Sequence, residues 1–382
     1  MLELLTGAAK AESGATGRII NVPALNPKRT YQFFPAQTLI SADGQRAAFC
    51  APYDTQALAS IYTFKTQNGL MVQESVMTDS STAANSGNLK TFASNSDCTF
   101  FVSGGASYNN DGNQGFVMTY TLNGDGSWSK FRTVSPSPVN NGYFGNSVAL
   151  SPDGTYMAVL APGENSNNGR IHTFTYLGSS WTAFNRIDLS GTVGSANIIQ
   201  ISRNLSTMVV GVPSQNRIGV FRGYPDWHLV GWLTMPNVVA GSNFGSAVEV
   251  SDDGTVILVG APTQTNGGSN YTGGIYVYVF DGIDVFEHKA TILPPSDVGE
   301  IRYFGGGIRM SADKSYMLIA AYVSGATTGY LLRYDFNPDW TATRKWTQVR
   351  GRPDAYRALS LARTTDNWFI GDFVNHEVLY GT

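Results

Sequence analysis

Charge is what this sequence has least of. Asp, Glu, Lys and Arg supply 14% of its 382 residues, well under the roughly 25% of an average domain. Its surface must therefore be solvated mainly by hydroxyl and amide groups. The net charge is −3 and no basic cluster stands out, which argues against a nucleic-acid or anionic-membrane footprint. No apolar run approaches the roughly 18 residues that a membrane helix needs. The opening MLELLTGAAKAESGATG lacks a basic start, and its apolar stretch is too short for a secretory signal. The expectation is a chain made in the cytosol. Two cysteines, Cys50 and Cys98, make no disulfide framework, and both read as buried thiols. Helix-length amphipathic segments are absent too, whereas the strand formers Val, Ile, Tyr and Phe are plentiful.

What is present is a repeat. The stretch FGSAVEVSDDGTVILVGAPTQTNGGSNYTGGIYVYVF (244–280) reads as three strands, with a tight turn at Asp252-Asp253-Gly254 and a polar Gly-rich loop before the third. Taking Asp253 as phase marker, the equivalent positions are Asp43, Asp97, Asp153, Asn204, Asp313 and Asp366. Successive spacings are 54, 56, 51, 49, 60 and 53 residues, the range of four-stranded propeller blades. Nine residues before the marker stand Phe34, Phe144, Phe244 and Phe304; two before it stand Ser41, Ser151, Ser202, Ser251, Ser311 and Thr364. Nine after it stand Pro52, Pro162, Pro213 and Pro262.

Each column has a physical reason. Asp in the Ser-x-Asp-Gly turn bonds nearby backbone amides, and Gly takes positive φ. The Phe is placed to wedge between blades. The Gly that follows it in three repeats is expected to permit close backbone approach near the central channel. A turn and usually an aromatic, as at Gly126-Ser127-Trp128 and Pro225-Asp226-Trp227, announce a fourth strand. The seventh repeat lacks one, and Gly17–Pro23 can supply it. The expected fold is all-β, a seven-bladed β-propeller of four-stranded blades closed by the N-terminal strand completing the last blade. Residues 1–16 form a tail and 17–382 the propeller.

The segments FGNSVALSPDGTYMAVLAPGENSNNGRIHTFTY and FGSAVEVSDDGTVILVGAPTQTNGGSNYTGGIYVYVF resemble FG-GAP repeats of the integrin-α-like propeller family. The resemblance implies a propeller with a binding or scaffold role; function does not come with the fold. That family often binds calcium through a DxDxDG run. Here the turns SADGQ, SPDGT, SDDGT and SADKS carry too few carboxylates for six or more oxygen ligands, so no metal or other cofactor is expected.

Signals for catalysis are poor. His172, His228, His288 and His376 fall on separate repeats without metal-ligand spacing and read as strand-surface residues. No acid pair suggests glycoside hydrolysis. The chain is therefore expected not to be an enzyme; a propeller hydrolase or lyase would show clustered acids or histidines at the channel mouth. The expected interaction surface is the face of second-to-third-strand loops and inter-blade links. Its candidate binding residues are Tyr108, Asn109, Asp111, Asn141, Tyr143, Asn270, Tyr271 and Tyr303, where amphipathic rings beside amides suit a glycan or polar protein. The leading expectation is a structural or adhesion module of a phage tail or virion, contacting a host receptor or neighbouring subunits. The alternative is a bacterial surface or secreted adhesin. Met1–Thr16, with its apolar start, would contact assembly partners.

Overall fold

The Ser-x-Asp-Gly turn is the local unit from which the fold is built. In the fifth repeat the Ser251 hydroxyl donates to Asp253 Oδ1 at 2.6 Å, which also accepts the Thr255 N–H at 3.1 Å. Ser251 Oγ in turn accepts the Val256 N–H at 2.9 Å. The same three bonds recur around Ser41/Asp43, Ser151/Asp153 and Ser202/Asn204. The Asp carboxylates thus accept backbone and hydroxyl donors within their own turns, and Asp253 also pairs with Lys314 of the next blade through Oδ2. Gly254, at φ 70°, supplies the left-handed residue that the turn demands.

The structure is a computed structural model and describes residues 17–20, 37–55, 58–79, 91–106, 112–189, 198–237, 239–265, 272–298, 301–322, 328–351, 359–372 and 377–381. Met1–Thr16 lies outside these residues. Among the described residues the strands form seven four-stranded sheets. In the fifth, Ala247–Val250 is innermost, followed outward by Val256–Gly260, Ile275–Phe280 and Phe286–Ile292. The first three are mostly buried, while the fourth is largely exposed. The innermost strands are Gln37–Ile40, Thr91–Ser94, Ser147–Leu150, Ile198–Ile201, Ala247–Val250, Arg302–Met310 and Leu359–Leu361. Each touches the next, and the last touches the first, which closes a ring. In the sheet begun by Leu359–Leu361 the outermost strand is Gly17–Ile20, antiparallel to Glu377–Gly381. Both ends of the chain therefore share one blade.

Packing between blades explains the motif. Phe144, Phe244 and Phe304 are fully buried, each clustered with strands of its own blade and of the preceding one. The Gly that follows each Phe acts at this seam, not at the central channel as expected. A Cβ on Gly104 would lie 1.8 Å from the Gly145 carbonyl oxygen. Gly211 and Gly260 stand in the same relation to Gly245 and Gly305, at 2.1 and 1.9 Å. The Phe-Gly of one repeat thus meets the second-strand Gly of the repeat before it. Tryptophans at the entry to the outer strands add a further tie: Trp181 Nε1 donates to Thr119 Oγ1 at 2.9 Å, and Trp227 Nε1 to the Tyr156 hydroxyl at 2.7 Å.

Innermost strands would otherwise leave backbone N–H groups unpaired along the channel. Side chains of the preceding blade accept them. Gln37 Oε1 takes the Phe92 N–H, Thr91 Oγ1 that of Val148, and Ser147 Oγ that of Ile199, at 2.9 to 3.1 Å.

The phase of the seventh repeat needs correction. Ala362 N–H donates to the Asn367 carbonyl, as Ser251 does to Val256, and Leu361 pairs with Trp368 as Val250 does with Ile257. Thr364, not Asp366, is therefore the counterpart of Asp253. Asp366 is instead an acceptor for the Tyr316 hydroxyl of the neighbouring blade at 2.8 Å. Cys50 and Cys98 are free and buried, in one core cluster between the first two blades.

Candidate functional site

The ring of innermost strands encloses a cavity of about 230 Å³. The residue four before the turn marker lines it in most blades: Leu39, Ala93, Ala149, Gln200, Glu249 and Arg309. In the fifth and sixth blades this column is charged. A second column, one before the marker, rims the mouth at the hairpin-turn end. There Ala42 N–H donates to the Ser96 carbonyl, Ser96 N–H to Pro152, Asn204 N–H to Asp252, and Arg363 N–H to Ala42.

Charged members of the two columns converge. Arg309 Nη1 lies 3.4 Å from Glu249 Oε2, and Arg363 Nη2 lies 3.3 Å from Glu249 Oε1. Arg363 Nε is 3.5 Å from Asp252 Oδ1, and Arg203 Nε is 3.6 Å from Asp252 Oδ2. Arg203 also donates to Ser96 Oγ at 2.8 Å, across the third blade. Arg363 donates to the Met310 carbonyl at 2.8 Å. The cluster thus spans the mouth from the second blade to the seventh. Glu249 is 4% exposed at its side chain. Burial pushes the Asp252 carboxyl above its ordinary value, with Arg363 and Arg203 opposing; burial likewise lowers the Arg203 guanidinium. A carboxyl raised in this way beside a cavity and fixed cations is a frequent mark of a functional site.

These five residues were not nominated from the sequence. Each lies in a different repeat or column, so no local spacing reveals them. Reading down the repeat columns for charge on an innermost strand does reveal Glu249 and Arg309.

The expected binding residues are placed differently. Tyr108, Asn109, Asp111, Asn270 and Tyr271 lie outside the described residues. Asn141 and Tyr143 sit together on the loop face, where Asn113 Nδ2 donates to Asn141 Oδ1 at 3.0 Å and Tyr143 N–H to the Asn113 carbonyl at 3.0 Å. Tyr303 occupies the corresponding place in the sixth blade, three blades away, so the structure does not bring it to them. Tyr143 and Tyr303 share a left-handed backbone, φ 54° and 55°, with Asn243 at 53°. All three immediately precede Phe-Gly, so the seam sets their conformation.

His172 is not a strand-surface residue. It is buried, and its Nε2 lies 2.7 Å from Glu164 Oε2. Glu164, also buried, accepts Arg170 Nη1 at 3.1 Å and Ser135 Oγ at 2.7 Å. Every partner is internal, and the group pins the loop that begins at Gly163. Gln264 fills the same column in the fifth blade, accepting the Tyr276 hydroxyl at 2.7 Å. His228 and His288 are exposed, and His376 lies outside the described residues. Among the described residues no group of three or more His, Cys, Asp or Glu could hold a metal ion, and no helix is long and apolar enough to cross a membrane.

Comparison with known proteins bears on the fold. No curated protein matches the sequence. Among solved structures, a candidate 6-phosphogluconolactonase from Bacteroides uniformis is 15% identical, with TM-score 0.58, covering 84% of this chain and 86% of its own. The β-propeller domain of Cps50 (Swd1) from Myceliophteria thermophila is 9% identical, with TM-score 0.62, covering 96% and 99%. The periplasmic gluconolactonase PpgL of Pseudomonas aeruginosa is 12% identical, with TM-score 0.60, covering 84% and 86%. Such identities show a shared fold alone. That fold nevertheless includes proteins named as gluconolactonases. The expectation that the chain is not an enzyme is therefore withdrawn. The FG-GAP repeat model matches residues 227–278, from the outer strand of the fourth blade through the third strand of the fifth. The chain is a β-propeller that carries an FG-GAP repeat.

Proposed function

We propose that this chain binds a small polar ligand in its central channel. The observation that carries the reading is the convergence of Glu249, Arg309 and Arg363, from three blades, on one cavity, with Asp252 and Arg203 joined to Arg363 behind them. Clefts with a few convergent polar groups and perturbed carboxyls are the usual form of a ligand site. The gluconolactonases that share the fold suggest sugar lactones and aldonic acids as the first compounds to try. Calorimetric titration of such a panel should give saturable binding for at least one member. Gln200→Trp, which fills the channel from the fourth blade, should abolish it while the thermal transition stays cooperative. Failure of every compound to bind, or binding indifferent to Gln200→Trp, removes the reading.

A second reading is supported by the loop face and the low surface charge. The amides of Asn113, Gln114, Asn140 and Asn141 form an exposed ladder between the second and third blades. Such a face suits assembly into a phage tail or virion, or adhesion to a glycan or protein receptor, with Met1–Thr16 engaging a neighbouring subunit. Mass spectrometry of purified particles from the source should then find the chain in stoichiometric amount. Its absence from them would sink the virion role.

A further inference from the structure

The cluster at the channel mouth is rich in positive charge and loosely paired. Three guanidinium groups face two carboxylates, and all four ion-pair separations fall between 3.3 and 3.6 Å. Charge-assisted N–H···O bonds run about 2.7–2.9 Å when well made. The short bonds these arginines make go to neutral acceptors instead: Arg203 to Ser96 Oγ at 2.8 Å, Arg309 to the Ile308 carbonyl at 2.7 Å and Arg363 to the Met310 carbonyl at 2.8 Å. Those bonds hold the guanidinium planes in place without using their charge. Both hydrogen bonds recorded for Arg309 among the described residues use Nη1, so the rest of its fork is uncommitted there. Glu249 divides its carboxylate between two arginines and the Met310 N–H, at 3.3 to 3.4 Å. It is a shared, stretched counter-ion.

Pre-oriented arginine forks at the wall of a cavity recognise planar or tetrahedral oxyanions with little loss of side-chain freedom. A ring of low-dielectric strands around them concentrates the field along the channel. Ser94 and Gln200 line the same cavity and suit hydroxyl groups on the remainder of a ligand. We propose that the channel takes an oxyanion, a carboxylate or phosphate carried on a small hydroxylated molecule, held by Arg309 and Arg363 in competition with Glu249. This rests on the channel-binding reading above and names the ligand class.

The test is calorimetry on the full chain at low ionic strength with gluconate, 6-phosphogluconate and neutral glucose; the two anions separate carboxylate from phosphate as the recognised group. At least one anion should bind about tenfold or more tightly than glucose, and that preference should shrink as salt is added. Arg309→Gln should remove the preference, and Arg309→Lys should restore part of it. Glu249→Gln should tighten anion binding several-fold by removing the competing charge, an effect that a purely structural carboxylate would not give. Thermal melts of each variant confirm folding. Equal binding of glucose and the anions, lost in Gln200→Trp, would overturn the anion assignment and leave the channel reading standing. Anion binding unchanged in both Arg309→Gln and Glu249→Gln would overturn it as well. No binding by any compound would overturn both.

Discussion

Replacing Gly260 by Ala should cost the propeller about 3 kcal/mol or more. The new Cβ would sit 1.9 Å from the Gly305 carbonyl oxygen and 3.2 Å from Ala247 Cβ. The first contact is with backbone of the next blade, so no side-chain rotation relieves it. The two blades must part, and parting them pulls the fully buried Phe304 from its place among Ile275, Val277 and Ile308. Gly104→Ala should behave alike, since its Cβ would meet Gly145 O at 1.8 Å. Gly231→Ala is the control: nothing lies within 4 Å of its Cβ, and the change should stay within about 0.5 kcal/mol. Urea unfolding of the three variants decides the matter. A Gly260→Ala midpoint equal to that of Gly231→Ala would mean that the seams carry no such constraint.

Glu164→Ala should be comparably severe, about 3–5 kcal/mol, because removing one partner of a buried charge group strands the others. Arg170 would keep Asp188, at 2.6 Å, but His172 and Ser135 would lose their internal acceptor. Glu164→Gln should cost less, since an amide oxygen can still accept one of these bonds. The pH dependence adds a second readout. Burial pushes the Glu164 carboxyl up, but bonds from His172, Ser135 and Arg170 outweigh it and hold the group below its ordinary value. An acid depressed in the folded state contributes stability above its unfolded pKa, about 4.3 for Glu, and loses it as pH falls through the lower folded value. The turn acids Asp43, Asp153, Asp253 and Asp313 are shifted in the same direction. The melting temperature should therefore fall steeply below about pH 4. In Glu164→Gln that acid limb should be shallower, though not absent. An identical limb in variant and parent would show that Glu164 contributes nothing to it.

The parts of the molecule legible in the sequence are those written locally. Ser251, Asp253 and Gly254 make their turn within five residues, so their types and order announce it. Phe244 and its siblings were visible as a column, because a seam that recurs in space recurs in the sequence. Where a local signal was ambiguous, the phase slipped: Thr364-Thr365-Asp366 offers an acid two residues late, and only the Ala362–Asn367 bond fixes the register. That slip also hid Arg363, which in the corrected phase stands in the same column as Arg203 and Asp252. His172 misled for a different reason. A histidine on a third strand is ordinarily read as exposed, and its acceptor Glu164 comes from a loop whose path the sequence does not disclose. The channel cluster was least legible of all, being assembled from four repeats, with only Glu249 and Asp252 near each other in the sequence, so that it forms only once the ring closes.

The seams also set a rule for how such a ring can be assembled from interchangeable parts. At three junctions a second-strand Gly (Gly104, Gly211 or Gly260) faces the Phe-Gly of the following repeat. Where the corresponding residue is Cys50, Leu160 or Ala320, the following repeat lacks Phe-Gly. At these six junctions the two halves match like lock and ward, one side thinned wherever the other presses in; at the seventh, Gly371 precedes a repeat that reads Phe34-Pro35. A repeat is consequently not a cassette that can be moved, duplicated or deleted at will. A transplanted unit keeps its fit only if its new upstream neighbour carries glycine at this second-strand position when the unit itself begins with Phe-Gly.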